Sequence, residues 1–344
     1  MSSKKMRLGL VLATLAGVGV LASVAVAATT TARSAKLIHV RVGLAVLPPK
    51  MTHIGFYVAR DKGFFAKNGL DVSLVGEGDG VKSLRGTAAG AFDMAGTSAD
   101  DVIAAATQGG HLSAVWSYAM PLDTTLVADQ SVRTVADLRG KKIAITDPGG
   151  FSDVQVRAVL AQAHVSAKDV KIVSLPSRSA FVPAIVSGRV NAAPFHADDG
   201  FAAMAQDKKL HVIKSIYQAL PNWWYSALAV TDTYKQANGP TIEKFITAMD
   251  EADRWIYSHR AETIAIGVKE GQESKDAATK AYDFLKKAHA WTVNDGLKRS
   301  RVVGTMAYEH KLGQIPRVPT YGEVVDPTYA NAVLQKIGRW KTGF

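Results

Sequence analysis

The chain has 344 residues, a formal net charge of +11 and no cysteine. The lack of thiols excludes disulfides, thiolate metal sites, iron–sulfur clusters and lipid attachment through an N-terminal cysteine. The sequence also lacks a Lys/Arg-rich block with interleaved aromatic residues, so we do not expect it to bind nucleic acid.

Residues 1–27 have the pattern of a secretory signal peptide. Three basic residues lie within the first seven, and an apolar run from Leu8 to Val26 follows and closes on Ala25-Val26-Ala27. The small-x-small ending predicts cleavage before Ala28. A permanent membrane helix is the alternative because the run is long enough to span a bilayer, but no basic stop-transfer cluster follows it. We therefore predict a periplasmic protein, secreted by its signal peptide and not lipid-anchored.

Short β-branched runs then alternate with amphipathic helical stretches. The strands predicted in chain order are 37–46, 70–75, 92–96, 112–117, 124–128, 142–146, 170–174, 190–194, 211–214 and 226–230. The helical stretches between them are 54–67, 81–89, 99–108, 135–138, 152–163, 180–187 and 197–206. This alternation predicts an α/β protein with mostly parallel sheets that are covered by helices on both faces.

The composition changes to almost all helix from Thr241 to Lys311, and a further helix is predicted over 328–337 after a Pro-rich loop. Two strand–helix blocks and a helical tail predict two lobes. Lobe 1 would comprise residues 36–120 and 226–344, and lobe 2 residues 121–225. The connections near 118–123 and 221–225 would form a hinge, and a cleft between lobes is a preferred ligand site.

Four segments carry recognisable motifs in a fixed order. They are Phe56–Val72 (FYVARDKGFFAKNGLDV), Val135–Ala144 (VADLRGKKIA), Gly149–Asp153 (GGFSD) ahead of Arg157–Leu160, and Ile185–Ala193 (IVSGRVNAA). Together they resemble the type 2 periplasmic substrate-binding proteins of ABC importers, in the branch that binds nitrate, sulfonates, taurine and thiamine pyrimidine precursors. One departure is Asn191, which stands where the family usually has Asp, and we interpret it as a local cap or turn residue.

The resemblance implies a type 2 periplasmic-binding-protein fold. Each lobe would hold a mixed, mostly parallel sheet flanked by helices, with the helical tail on lobe 1. A ligand would be clamped between the lobes and delivered to an ABC permease in the inner membrane.

Candidate ligand-binding residues follow from a general rule, since ligands of open α/β sheets bind beyond the carboxyl ends of the strands. The candidates are Pro49, Lys50, His53, Phe56, Thr97, Ser98, Tyr118, Gly149, Gly150, Phe151, Ser152, His196, Asp198, Trp223 and Trp224. Thr52, Ser98 and Ser152 have an alternative role as helix N-caps. His196 and Asp198 form half of a metal motif, but the other histidines are scattered and we predict no metal and no cofactor.

The charge of the ligand stays open at this stage. Lys50, His53, Arg178 and His196 suit an anion, whereas Asp100, Asp147, Asp153 and Asp198 suit a cationic or amine-bearing compound. We favour a small organic anion such as a sulfonate or carboxylate. The predicted function is an extracytoplasmic solute-binding protein, monomeric and not an enzyme. The alternatives are a ligand-sensing subunit of a membrane receptor and an exported enzyme on the same fold; no Gly-x-Ser-x-Gly or His-Glu-x-x-His motif supports the latter.

Overall fold

The computed structural model describes residues 36–341 except Asp147 and Gly149. The predicted signal peptide and the candidate Gly149 therefore lie outside the described residues. The strands are β1 (Ile38–Leu44), β2 (Leu70–Gly76), β3 (Met94–Ser98), β4 (Leu112–Trp116), β5 (Thr124–Ala128), β6 (Lys142–Ile145), β7 (Lys171–Ser174), β8 (Ala192–His196), β9 (His211–Ser215) and β10 (Ser226–Thr231).

Thirteen α-helices are assigned in the described part of the chain. They are α1 (Ile54–Asp61), α2 (Phe64–Lys67), α3 (Gly80–Ala88), α4 (Ala99–Thr107), α5 (Phe151–Gln162), α6 (Phe181–Val186), α7 (Ala197–Gln206), α8 (Asp232–Ile256), α9 (Arg260–Gly271), α10 (Lys275–Lys287), α11 (Arg299–Lys311), α12 (Tyr321–Val324) and α13 (Thr328–Ile337). Among the described residues, no helix has both the length and the apolar character needed to cross a membrane.

The strands form two five-stranded mixed sheets. The first has the order β2-β1-β3-β10-β4, and the second has the order β7-β6-β8-β5-β9. In the first sheet β10 runs antiparallel to β3 and β4, and in the second β5 runs antiparallel to β8 and β9. The chain therefore completes four strands of the first sheet, builds the whole second sheet, and returns to insert β10 between β3 and β4.

Apolar side chains fix the first sheet between two helical layers. β1 buries Val40, Val42 and Leu44 completely or nearly so, and it pairs with β2 in parallel register from Ile38 opposite Leu70. The tail helix α8 packs on α1 and α2, and α13 packs on α8 and β4. The two-lobed fold with the helical tail on the first lobe is confirmed.

The tail also reaches the second lobe, because α10 packs against α7. Phe284 of α10 makes an edge contact with Phe201, with ring centroids 6.3 Å apart, and a tilted contact with Tyr217 at 6.2 Å. The two lobes therefore touch outside the cleft as well as through their crossing segments.

Local departures from the predicted elements have steric causes. The single helix predicted over 54–67 is divided into α1 and α2 by Gly63, whose φ of +76° is left-handed. The strand predicted from Phe92 begins only at Met94. The Phe92 ring lies in space that a Cβ atom on Gly43 or Gly86 would occupy, at 2.6 Å in each case. Phe92 thus serves as packing between β1 and α3 and does not join the strand.

Candidate functional site

The loop between β1 and α1 makes polar contacts with the second lobe and with the first crossing segment. The backbone N–H of Met51 donates to Asp198 Oδ2 at 2.6 Å, and the Thr52 hydroxyl donates to Asp123. Lys50 Nζ donates to Asp199 Oδ1 at 2.8 Å and to Glu273 Oε1 at 3.0 Å. The candidates Lys50 and Asp198 therefore lie where the lobes meet, and Lys50 is already paired with carboxylates.

Asp123 is the centre of a buried polar group in the first crossing segment. It is fully buried, and His196 Nδ1 lies 2.8 Å from its Oδ2 atom. Burial opposes ionisation of Asp123, but His196 and the Thr52 hydroxyl outweigh it and lower the pKa of the carboxyl. His53 lies beside this group, with its ring 6.5 Å from the His196 ring.

The two histidines do not both carry charge. Burial lowers the pKa of His53 to about 3, and the neighbouring His196 adds to the effect. His53 is therefore neutral at physiological pH and offers a nitrogen for hydrogen bonding, not a positive charge. Its Nδ1 atom has no hydrogen-bond partner in the described structure.

The wall of the first lobe is formed at the end of β3. The hydroxyls of Thr97 and Ser98 both donate to Asp101 Oδ2 at 2.6 Å, and the Tyr118 hydroxyl donates to the Thr97 carbonyl at 3.0 Å. Burial, reinforced by Asp101, raises the pKa of the adjacent Asp100 to about 7. The Asp100 carboxyl of this wall therefore takes up a proton more readily than an ordinary aspartate.

The wall of the second lobe is aromatic. Phe151, the first residue of α5, stacks on Tyr225 with ring centroids 6.1 Å apart and an interplanar angle of 15°. The Arg178 guanidinium lies 5.5 Å from the centroid of the same Phe151 ring, and Trp223 lies 6.4 Å from it. Phe151 therefore links a cation of the second lobe to the aromatic residues of the return crossing.

Several polar atoms of these walls are buried without a hydrogen-bond partner in the described structure. They are Asp100 Oδ1, Arg178 Nη1, Trp223 Nε1 and Glu309 Oε1. Arg178 makes no ion pair within 4.0 Å among the described residues, although electrostatic interactions link it to Tyr225, Asp123 and Asp100. Buried polar groups in native proteins normally have partners, so these atoms mark a place where a ligand could supply them.

Four predicted candidates lie in the protein interior. Phe56 is fully buried against Tyr118 and Phe245, and the ring of Trp224 is fully buried while its backbone N–H donates to Thr305. Pro49 is buried beside Gly271. Ser152 is also fully buried. Ligand contact by each of them stays a prediction.

Of the three predicted N-caps, Ser98 is confirmed in position, whereas Thr52 and Ser152 are not N-caps. The N-cap of α5 is Gly150, and the Ser152 hydroxyl instead accepts the Thr146 N–H at 2.8 Å. Ser98 is at the N-cap of α4, but its hydroxyl donates to Asp101 and does not accept from the helix backbone. Thr52 lies within a short 3₁₀ turn before α1, and its hydroxyl binds Asp123. A carboxylate therefore competes with the helix terminus for the hydroxyls of Thr52 and Ser98, and the Thr146 backbone does so for Ser152.

Two residues of the site were not among the sequence candidates, namely Asp123 and Tyr225. Both lie in the predicted hinge segments. Burial, together with Asp123 and Tyr118, raises the pKa of Tyr225 well above its ordinary value. The signal that could have found them is positional, because the segments that cross between lobes also line the base of the cleft.

The family model described as NMT1/THI5 like matches residues 50–263, more than half of the chain. The chain belongs to this family. YtlA of Bacillus subtilis, named as a binding protein, is 22% identical over 305 residues, covering 86% of this chain and 90% of its own length. A Haemophilus influenzae protein named for thiamine biosynthesis is 26% identical over 212 residues, covering 60% of this chain and 66% of its own.

Solved structures of binding proteins share the fold. The alkanesulfonate-binding protein SsuA from Xanthomonas axonopodis pv. citri, bound to MOPS, superposes with a TM-score of 0.69 at 18% identity, covering 85% of this chain and 99% of that one. The periplasmic nitrate-binding protein NrtA from Synechocystis PCC 6803 gives 0.69 at 14% identity, with coverages of 88% and 90%. The resemblance inferred from the sequence motifs is confirmed, and the chain has the fold of periplasmic binding proteins.

The one departure from the family motif has a structural role. Asn191 Nδ2 donates to Asp129 Oδ2 at 2.8 Å, and Asn191 Oδ1 accepts the backbone N–H of Lys142 at 3.0 Å. An aspartate could accept from Lys142, but it could not donate to Asp129. Asn191 therefore joins the starts of β6 and β8 to the end of β5. This end of the second sheet is opposite the carboxyl ends of β6 and β8.

Proposed function

We propose that this protein is an extracytoplasmic solute-binding protein that captures a small organic anion, such as a sulfonate or carboxylate, between its lobes and delivers it to an ABC permease. The observation that carries the proposal is Arg178, whose Nη1 atom is buried without a hydrogen-bond partner in the described structure, beside the Phe151 ring and within electrostatic reach of Asp100 in the first lobe. The other candidate cations are less available, because Lys50 is paired with two carboxylates and His53 is neutral.

The chemistry of the walls suits an organic ligand. A guanidinium supplies two parallel N–H donors that match a carboxylate or sulfonate. The rings of Phe151, Tyr225 and Trp223 would contact the carbon body of the ligand. Solute binding by the structural relatives named above supports a binding role over an enzymatic one.

A thermal-shift screen tests the proposal. The probes are ethanesulfonate, taurine, benzoate and 4-amino-2-methylpyrimidine. A ligand at 100 times its dissociation constant stabilises a protein by about 2.7 kcal/mol. For a chain of this size the melting temperature should rise by roughly 4 °C.

Arg178→Met should weaken binding of an anionic probe by about tenfold to 150-fold, the value of a hydrogen bond to a charged group. The matched control is Arg189→Met, since Arg189 is exposed on the same lobe at the edge of the sheet away from the cleft. Stabilisation by none of the probes would count against solute binding, and unchanged binding by Arg178→Met would refute its role as the anion receptor.

A further inference from the structure

The contact between the lobes at Lys50 has more negative than positive charge. Lys50 Nζ lies 2.8 Å from Asp199 Oδ1 and 3.0 Å from Glu273 Oε1. Asp198 Oδ2 accepts the backbone N–H of the next residue, Met51, at 2.6 Å. We call Lys50, Asp198, Asp199 and Glu273 the closure cluster. It contains three carboxyl groups and one ammonium group.

The closure cluster is shielded from water while the lobes touch. Asp198 is 2% exposed, and the side chains of Glu273 and Lys50 are 10% and 13% exposed. Asp198 Oδ1 and Glu273 Oε2 have no hydrogen-bond partner in the described structure. Uncompensated charge is costly in such a place unless a proton neutralises it.

The members of the closure cluster come from three segments, two in the first lobe and one in the second. Lys50 belongs to the loop after β1, and Glu273 to the turn between α9 and α10, both in the first lobe. Asp198 and Asp199 begin α7 on the second lobe. Opening would expose Asp198 and Asp199 to water and leave Lys50 paired with Glu273 alone.

We propose that closing the cleft takes up a proton into this cluster, so that mildly acidic pH favours the closed form. This regulation rests on the proposed function, because it acts on the same cleft. The geometry supplies both requirements, namely charged groups that change their surroundings on closure and an excess of carboxylates in the closed form.

The direction of the effect follows from the titration of the closed form. Burial, with Asp198 as the next contributor, raises the pKa of Glu273 to about 7. Burial also raises the pKa of Asp198 to about 6, against the opposing effect of Lys50. A carboxyl whose pKa is higher in the closed form stabilises that form at low pH, and this stabilisation disappears as pH rises through the closed-state pKa.

Other charged groups facing the cluster do not reverse this direction. Asp123 adds negative charge near Asp198, and its own pKa is lowered, so it stays ionised throughout the range considered. His53 faces Lys50 and is neutral above about pH 3. The His196 Nδ1 atom lies 2.8 Å from Asp123 Oδ2, and its ring lies 6.5 Å from the His53 ring. Asp199 is the cluster's most exposed carboxylate, at 32%.

The test uses the full mature chain without ligand. Because the sequence has no cysteine, Lys82→Cys and Ser177→Cys introduce two unique labelling sites. Lys82 is exposed on α3 after β2, and Ser177 is exposed in the loop after β7, so the pair reports on the opening of the cleft. Single-molecule energy transfer in solution gives the ratio of closed to open molecules at pH 8 and pH 6.

The closed-to-open ratio should rise about tenfold from pH 8 to pH 6, the change expected for one carboxyl with a closed-state pKa near 7. Glu273→Gln should give a ratio that changes less with pH, because only Asp198 still titrates, and that at pH 8 is at least as high as in the unsubstituted protein at pH 6. The matched control Glu270→Gln, three residues earlier and paired with Arg60 and Lys269 outside the cleft, should keep the full pH response.

Lys50→Met tests the pH response when the contact between the lobes is weakened. Without the ammonium group, the three carboxylates repel one another, so closure should be rarer at pH 8 and should rise more than tenfold by pH 6. A ratio independent of pH in both the unsubstituted protein and Lys50→Met overturns the proposal, and so does opening by Glu273→Gln. No ligand enters this experiment, so its outcome is separate from the thermal-shift screen: lack of stabilisation there would reject solute capture and leave this result unaffected.

Discussion

Asp253 of α8 is a buried carboxyl that makes no ion pair within 4.0 Å among the described residues, and replacing it by Asn should stabilise the protein at neutral pH. It is 1% exposed, and neither of its oxygens has a hydrogen-bond partner in the described structure. A Cβ atom on Gly55 would lie only 2.2 Å from Asp253 Oδ1, so the carboxyl sits directly against α1. Burial, reinforced by Asp250, raises the pKa of Asp253 well above its usual value.

The magnitude follows from proton linkage. In the folded protein Asp253 holds its proton to a higher pH than in the unfolded chain, where the carboxyl ionises above about pH 4. The free energy of unfolding should therefore fall by up to about 1.4 kcal/mol per pH unit because of this group, or about 2.7 kcal/mol between pH 5 and pH 7. Asparagine has nearly the same shape and carries no titratable proton, so Asp253→Asn removes this loss.

Urea unfolding followed by tryptophan fluorescence at pH 5, 6 and 7 measures the effect. The informative quantity is the slope with pH, because the buried amide has a desolvation cost of its own that does not change with pH. The control Asp276→Asn alters an exposed residue of α10 paired with Lys280, and it should shift the unfolding free energy by less than about 1 kcal/mol at every pH. An advantage of Asp253→Asn that does not grow between pH 5 and pH 7 would refute the reasoning.

Three further outcomes are expected. Phe284→Ala removes two aromatic contacts between α10 and the second lobe, each worth about 0.5–1.5 kcal/mol. Energy transfer between the labels at positions 82 and 177 should therefore show a larger fraction of open molecules. An unchanged distance between the labels would mean that this contact does not contribute to closure. Gly304→Ala, in the interior of α11 with no atom within 4 Å of the added methyl, should stabilise by about 0.5–1 kcal/mol. Gly96→Ala should destabilise the protein by about 1–3 kcal/mol because its methyl would lie 2.7 Å from Leu44. Thermal unfolding measures the stability change of Gly304→Ala and of Gly96→Ala, and equal effects of the two variants would contradict the packing described here.

The fold was predictable because its signals are local and periodic. β-branched runs such as 142–146 and the 3.6-residue spacing through Phe245 gave the elements, and four motifs in order gave the family. The positions of Thr97, Phe151 and His196 at strand ends followed from the rule that parallel strands point their carboxyl ends to one edge.

The partners of the site residues could not be predicted because they come from distant parts of the chain. The sequence predicts that Lys50 is available to bind an anion. In the structure it pairs with Asp199 and Glu273, which lie 149 and 223 residues away along the chain. Thr52 and Ser152 have the pattern of helix caps, but the Thr52 hydroxyl donates to Asp123 and the Ser152 hydroxyl accepts the backbone N–H of Thr146. The local sequence shows which polar side chains are present, whereas their hydrogen-bond and ion-pair partners depend on how the two lobes pack together.

The late insertion of β10 has a consequence for how the molecule matures. All five strands of the second sheet lie in one continuous stretch, residues 124–215, so that lobe can assemble as soon as this stretch is available. The first sheet lacks an interior strand until Ser226–Thr231 arrives, and until then the edges of β3 and β4 stay unpaired. During synthesis from the N-terminus, the half of the protein made first is therefore the half that finishes last, and it is the one that needs protection from aggregation in the meantime.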